Sequence, residues 1–217
     1  MTRDELASFI DHTLLRPEAA RDEIITLCRE AVEFGFASAC VNPVWVRTAA
    51  EVLEGCRPIT CSVIGFPLGA STVMPQEAMA AIADGAGELD MVIPVGLLKS
   101  GMDRQVSATI GEVVEASAGV PVKVIIETCL LTDSEKVHAC RIAMESGASW
   151  VKTSTGFSSG GATVEDIRLM REAVSDRLGV KASGGIRTLE DALGMLAAGA
   201  GRLGCSRSVQ IVRSIEE

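Results

Sequence analysis

Eight short apolar runs, FIDHTLL, SACVNP, TCSVIGFP, ELDMVIPV, VKVIIET, WVKTSTG, GVKASGG and RLGCS, recur along the chain. Several lack the alternation of a half-exposed strand, which suits strands covered on both faces, as in parallel sheets. Between them run segments of helical period: RDEIITLCREAVEFG, VMPQEAMAAIADGA, TDSEKVHACRIAMESGA, TVEDIRLMREAVSDRLG and TLEDALGMLAAGA. In EFGFASACV, ADGAGELDMV, MESGASWVKT and AAGAGRLGCS a helical segment passes through glycine into a strand, because glycine supplies the left-handed cap that lets the chain turn back. Thr132 with Glu135, Thr163 with Asp166 and Thr188 with Asp191 have capping-box spacing at helix starts. This alternation predicts an α/β protein, a single parallel eight-stranded (β/α)₈ TIM barrel over residues 1–217. A doubly wound open sheet is the alternative, and it usually needs fewer strands.

The chain is 47% hydrophobic, ample for a large core. Its seven cysteines are scattered and form no C-x-x-C, so they read as buried free thiols of a reducing cytosol rather than as a disulfide framework or a zinc site. The start MTRDELASFI has acidic residues where a secretory signal needs basic ones, and no apolar stretch approaches membrane-spanning length. The expected location is the cytoplasm. A net charge of −9 without a Lys/Arg cluster argues against a nucleic-acid surface, so any anionic ligand needs a local site.

Lys152 and Lys181 each follow a valine and precede a loop of small residues, at the ends of the sixth and seventh strands. Barrel active sites lie at the carboxyl ends of strands, so the two amines are expected as neighbours roughly 5 Å apart facing one mouth. A free lysine is only ~0.04% neutral at pH 7. Burial among apolar strand residues and a second ammonium both depress its pKa, which is how a Schiff-base lysine is prepared. A solvated surface lysine is the bland reading for either residue alone; two in matching positions favour covalent amine chemistry. The loops STG at 154–156, SGGIR at 183–187 and GCS at 204–206 follow strands six to eight, the last two where such barrels commonly hold phosphate. Asp90 and Asp11 are acids inside apolar strands and each needs a partner. Asp90 is expected to face the mouth, pair with Lys181 and relay protons; Asp11 reads equally as a structural ion pair. His12 and His138 are too far apart to suggest a metal pair.

The segments DHTLLRP, ACVNP, VIGFPLGA, ELDMV, KVIIETCLLTDSEK, VKTSTGF, GGAT and VKASGGIR, in order from about residue 9 to 212, resemble those of the deoxyribose-phosphate aldolase family. The resemblance implies a class I aldolase that reversibly cleaves 2-deoxy-D-ribose 5-phosphate to D-glyceraldehyde 3-phosphate and acetaldehyde, with no cofactor and no metal. It implies Lys152 as the Schiff-base lysine, Lys181 as the lysine that tunes it and Asp90 as the relay carboxylate. It also implies Gly156, Gly184, Gly185, Gly204 and Ser206 as phosphate loops, with Thr13, Cys40 and Phe66 near the site. Partners are then a small sugar phosphate and aldehydes, without nucleic acid or membrane, in a possible homo-oligomer. Two departures stand out. Some members carry a catalytic tyrosine on a C-terminal tail, whereas this chain has no tyrosine and ends at Glu217, and many have asparagine where Pro94 stands. The rival readings are another sugar-phosphate barrel, a transaldolase-like lyase or an isomerase, and a sugar-phosphate sensor without activity.

Overall fold

The computed structural model describes residues 1–215; Glu217, and with it the end of the chain, lies outside the described residues. The strands are β1 (Ile10–Leu14), β2 (Ser38–Val41), β3 (Ile59–Ile64), β4 (Glu88–Val92), β5 (Val122–Ile125), β6 (Trp150–Lys152), β7 (Gly179–Ser183) and β8 (Arg202–Cys205). All pair in parallel and in sequence order, and β8 returns to β1 to close the barrel. The open-sheet alternative is thereby excluded.

The helices are α1 (Arg3–Ala7), α2 (Arg21–Phe34), α3 (Val46–Leu53), α4 (Met74–Ala83), α5 (Val95–Lys99), α6 (Asp103–Ala116), α7 (Asp133–Glu145), α8 (Val164–Val174), α9 (Leu189–Ala197) and α10 (Ser208–Arg213). Helices α2, α4, α7, α8 and α9 lie on the five segments of helical period. Gly35 ends α2 in the left-handed conformation (φ 69°), the role its place in the sequence requires. Thr132 and Thr188 form reciprocal capping boxes with Glu135 and Asp191. Thr163 caps α8 one way only, because the Asp166 carboxylate turns to Lys136 at 2.6 Å instead.

Period-two alternation sorts each strand between two environments. Leu89 and Met91 of β4, Val124 of β5, Val151 of β6, Val180 of β7 and Leu203 of β8 point outward and pack beneath the helices with Ile24, Ile110, Ile167 and Met170. Each such fully buried side chain contributes about 1.5–3 kcal/mol. The inward positions are different in kind: Asp11, Ser38, Cys40, Cys61, Asp90, Lys123, Lys152 and Lys181 are all buried inside the barrel. Polar groups gathered in a closed interior must satisfy one another, and that requirement shapes the site.

Candidate active site

Lys152 and Lys181 are direct register partners on β6 and β7, and Asp90 is partnered with Lys123 across β4 and β5. These registers bring four basic and three acidic side chains together. Asp90 Oδ2 accepts from Lys152 Nζ and Lys181 Nζ, both at 2.7 Å, while its Oδ1 lies 3.0 Å from Lys123 Nζ. Lys181 also meets Asp11 Oδ2 at 2.5 Å. Arg202 Nη1 reaches Asp11 Oδ1 at 2.6 Å and Glu88 Oε2 at 3.3 Å, and Lys123 donates to Glu88 Oε2 at 2.7 Å.

These contacts form a ring of alternating charge: Asp90, Lys181, Asp11, Arg202, Glu88, Lys123 and back to Asp90. Every ring member touches two opposite charges, three carboxylates against three cations. Lys152 stands outside it, with Asp90 as its single ionic partner among the described residues. The ring spans the barrel. Glu88 and Arg202 begin their strands and so lie at the floor, where Arg202 stacks on Trp150 with its guanidinium carbon 5.4 Å from the ring centroid.

The apolar surroundings expected around the amines are thus replaced by carboxylates, and the consequence for Lys181 is reversed. Burial pulls its pKa down, but Asp11 and Asp90 outweigh burial and hold it well above the ordinary lysine value. Burial likewise pushes Asp90 up, and Lys123, Lys152 and Lys181 together hold it well below the ordinary carboxyl value. Asp11 follows the same pattern, with Lys181, Lys123 and Arg202 overcoming burial.

Above the amines the carboxyl ends of β1, β6, β7 and β8 surround a cleft of about 370 Å³, lined by Thr13, Gly156, Gly184, Gly185, Gly204 and Ser206. It is also rimmed by Arg16, Arg187 and Arg207; the first two lie within the segments DHTLLRP and SGGIR and the third directly follows GCS, yet none carries a role in the sequence reading. The cleft depends on close backbone approach. A Cβ on Gly161 would collide with the Gly184 carbonyl, and Ala162 N donates to the carbonyls of Ser183 and Gly184 at 3.1 and 3.0 Å. Gly184 has φ +82° and a Cβ there would lie 3.1 Å from Gly161 Cα, so neither position admits another residue without moving the loop. Glu127 fixes the neighbouring loop by accepting from Thr155 Oγ1 at 2.5 Å.

Cys40 lies deeper, beside Cys61, in a small apolar cluster with Leu15, Val63 and Phe66. The hydrogen bond between the two thiols lowers the pKa of Cys40 and raises that of Cys61. These two sulfurs and an Asp90 oxygen lie within 4.8 Å of one another, the potential metal donors among the described residues. A cation there would compete with the three ammonium groups already on Asp90. Phe66 meets Phe157 edge-on over the mouth, with centroids 5.2 Å apart. Pro94 precedes α5 and lines an outer hollow rather than the cleft. His12 faces away from the site to Glu30 and Ser208, and no helix among the described residues is long and apolar enough to cross a membrane.

Fold and interior together define a parallel α/β barrel with buried amines and carboxylates beneath a glycine-lined cleft. The chain belongs to the DeoC/LacD family of aldolases, which are carbon–carbon lyases; the sequence model of that family matches residues 6–208. It is 56% identical over 210 residues to a deoxyribose-phosphate aldolase of Listeria innocua, covering 95% of this chain and 94% of that one. A deoxyribose-phosphate aldolase of Bacillus cereus is 57% identical over 210 residues with the same coverage. Among solved structures, the deoxyribose phosphate aldolase from Aeropyrum pernix, described as having a unique tetrameric structure, superposes with a TM-score of 0.89 at 35% identity, covering 98% of this chain and 92% of that one.

Proposed function

We propose that this single-barrel enzyme cleaves 2-deoxy-D-ribose 5-phosphate reversibly to D-glyceraldehyde 3-phosphate and acetaldehyde, through an imine on Lys152. The observation that carries the reading is the position of Lys152 outside a charge-balanced ring. Three carboxylates and three cations close to zero, so the seventh group is an amine that the ring does not itself hold, at the carboxyl end of β6. Its nitrogen lone pair adds to the aldehyde carbon of the open-chain sugar, and loss of water gives the imine. When that imine is protonated it accepts electrons. Asp90, acting through Lys181 and water, takes the proton of the C3 hydroxyl as the C2–C3 bond breaks and its electron pair moves into the iminium. Glyceraldehyde 3-phosphate departs, the remaining enamine takes a proton at C2, and water releases acetaldehyde from Lys152.

Reduction in the presence of acetaldehyde tests this directly. Borohydride is expected to fix one ethyl group on the peptide containing Lys152 and to abolish activity. An adduct on Lys181, or rapid turnover with no trappable intermediate, would overturn the assignment.

The arginine-rimmed cleft supports recognition of the 5-phosphate by the loops holding Gly184, Gly185, Gly204 and Ser206. Binding energy from that remote group positions the reacting end, so unphosphorylated deoxyribose is expected to show a much lower kcat/KM. Gly185 has φ +80° and open space where a Cβ would lie, so Gly185→Leu should push a side chain into the cleft. Its kcat/KM should fall more for the phosphate ester than for the free sugar. Equal losses for the two substrates would contradict this use of the cleft.

A further inference from the structure

We infer that Glu88 and Arg202, at the barrel floor opposite the cleft, are positioning residues that set the charge carried by Lys152 through the ion-pair ring. This rests on the imine reading above. Neither residue adjoins the cleft, and neither has a contact with Lys152; each acts through two ring members. Arg202 joins Asp11 to Glu88, and Glu88 joins Arg202 to Lys123. The side chains of Asp11, Asp90, Lys123 and Lys181 are 0% exposed, whereas Arg202 retains 15% and Glu88 7%, so the ring meets solvent at its floor.

The interior groups that bear on Lys152 come from every strand but its own. They are Asp11 of β1, Cys40 of β2, Cys61 of β3, Glu88 and Asp90 of β4, Lys123 of β5, Lys181 of β7 and Arg202 of β8, with Glu127 at the mouth. In this buried interior, charges act on one another with less screening than at the surface. Loss of the Arg202 cation leaves three carboxylates against two cations, and an ammonium on Lys152 then restores balance. Loss of the Glu88 charge leaves two carboxylates against three cations, and an ammonium on Lys152 becomes the surplus. The two ends of one ion pair therefore push Lys152 in opposite directions.

The test follows the pH dependence of ethyl-adduct formation on Lys152, with acetaldehyde and cyanoborohydride, in the full-length protein. Arg202→Met is expected to move the onset of adduct formation to higher pH by about one unit, and Glu88→Gln to move it lower by a similar amount, the scale for a unit charge acting through a buried cluster. Arg202→Lys keeps the charge and should return the onset to that of the parent. A purely structural role predicts that both variants lose rate at every pH without opposite shifts, and that result overturns the inference. If Arg202→Met does not fold, an unshifted onset in Glu88→Gln overturns it equally. An adduct on Lys152 with unmoved onsets leaves the imine reading standing and this one fallen; absence of any adduct in the parent protein sinks both.

Discussion

Lys152→Leu is expected to abolish aldol cleavage while leaving the barrel as stable as before, or more so. Loss of the nucleophile should cost on the order of 10⁶-fold in kcat, the scale seen when a covalent enzyme loses its attacking group. Stability should not follow activity, because leucine removes the one cation outside the ring and leaves three carboxylates facing three cations. Its one counter-ion, Asp90, keeps Lys123 and Lys181 when Lys152 is gone, and replacing such a buried charge by an apolar side chain of similar reach is often neutral or stabilising. Thermal unfolding of the variant beside residual activity checks both halves. Retention of most activity refutes the nucleophile; a large fall in Tm refutes the charge balance.

Asp90→Asn should damage both properties. The carboxylate meets three ammonium groups, and its loss leaves Lys152 without its ionic partner and Lys181 and Lys123 with Asp11 and Glu88 alone, at a cost of about 3–5 kcal/mol. Activity should fall about 10²–10⁴-fold with loss of the proton relay. The stability deficit has a defined pH dependence. Because the folded-state pKa of Asp90 lies well below its ordinary 3.8, the stabilisation is complete above that value and lost as pH falls toward the depressed one. Urea unfolding should therefore show a full deficit at pH 7 that narrows below about pH 4. A deficit constant down to strongly acidic pH would mean that the aspartate acts by packing rather than charge.

The barrel was legible because its evidence is local: apolar runs without alternation, helical periods between them and glycine at the junctions each report on a few neighbouring residues. The meeting of Lys152, Lys181 and Asp90 was legible for a related reason, since matching places on consecutive strands become register partners once a sheet is parallel. The ring was not legible. Glu88, Lys123 and Arg202 come together only through strand registers that no short segment states, and Arg202 and Asp11 are 191 positions apart. Two faint signals existed. PVKV carries a third valine–lysine pair, and the period-two spacing of Glu88 and Asp90 puts both acids on the inner face of one strand. The reversal at Lys181 has another source: Asp11 and Asp90 both stand out as acids in apolar strands, but the sequence places only Asp90 beside Lys181, and the two carboxylates together outweigh burial. Gly161, part of the segment GGAT, carried no assigned role because its requirement is a contact with a distant carbonyl rather than an unusual backbone angle.

The closed ring also sets the interior charges largely apart from the medium, which they meet only at Glu88 and Arg202. Its counter-ions are its own members, so neither dissolved salt nor the charges behind the protein's overall −9 need supply them. Drift in surface composition, adaptation to briny or dilute surroundings and attachment to a charged support all act on a layer that the ring does not borrow from. Away from the arginine rim of the cleft, the outside of this barrel is accordingly free to be rewritten for solubility or habitat while the charge balance inside stays as it is.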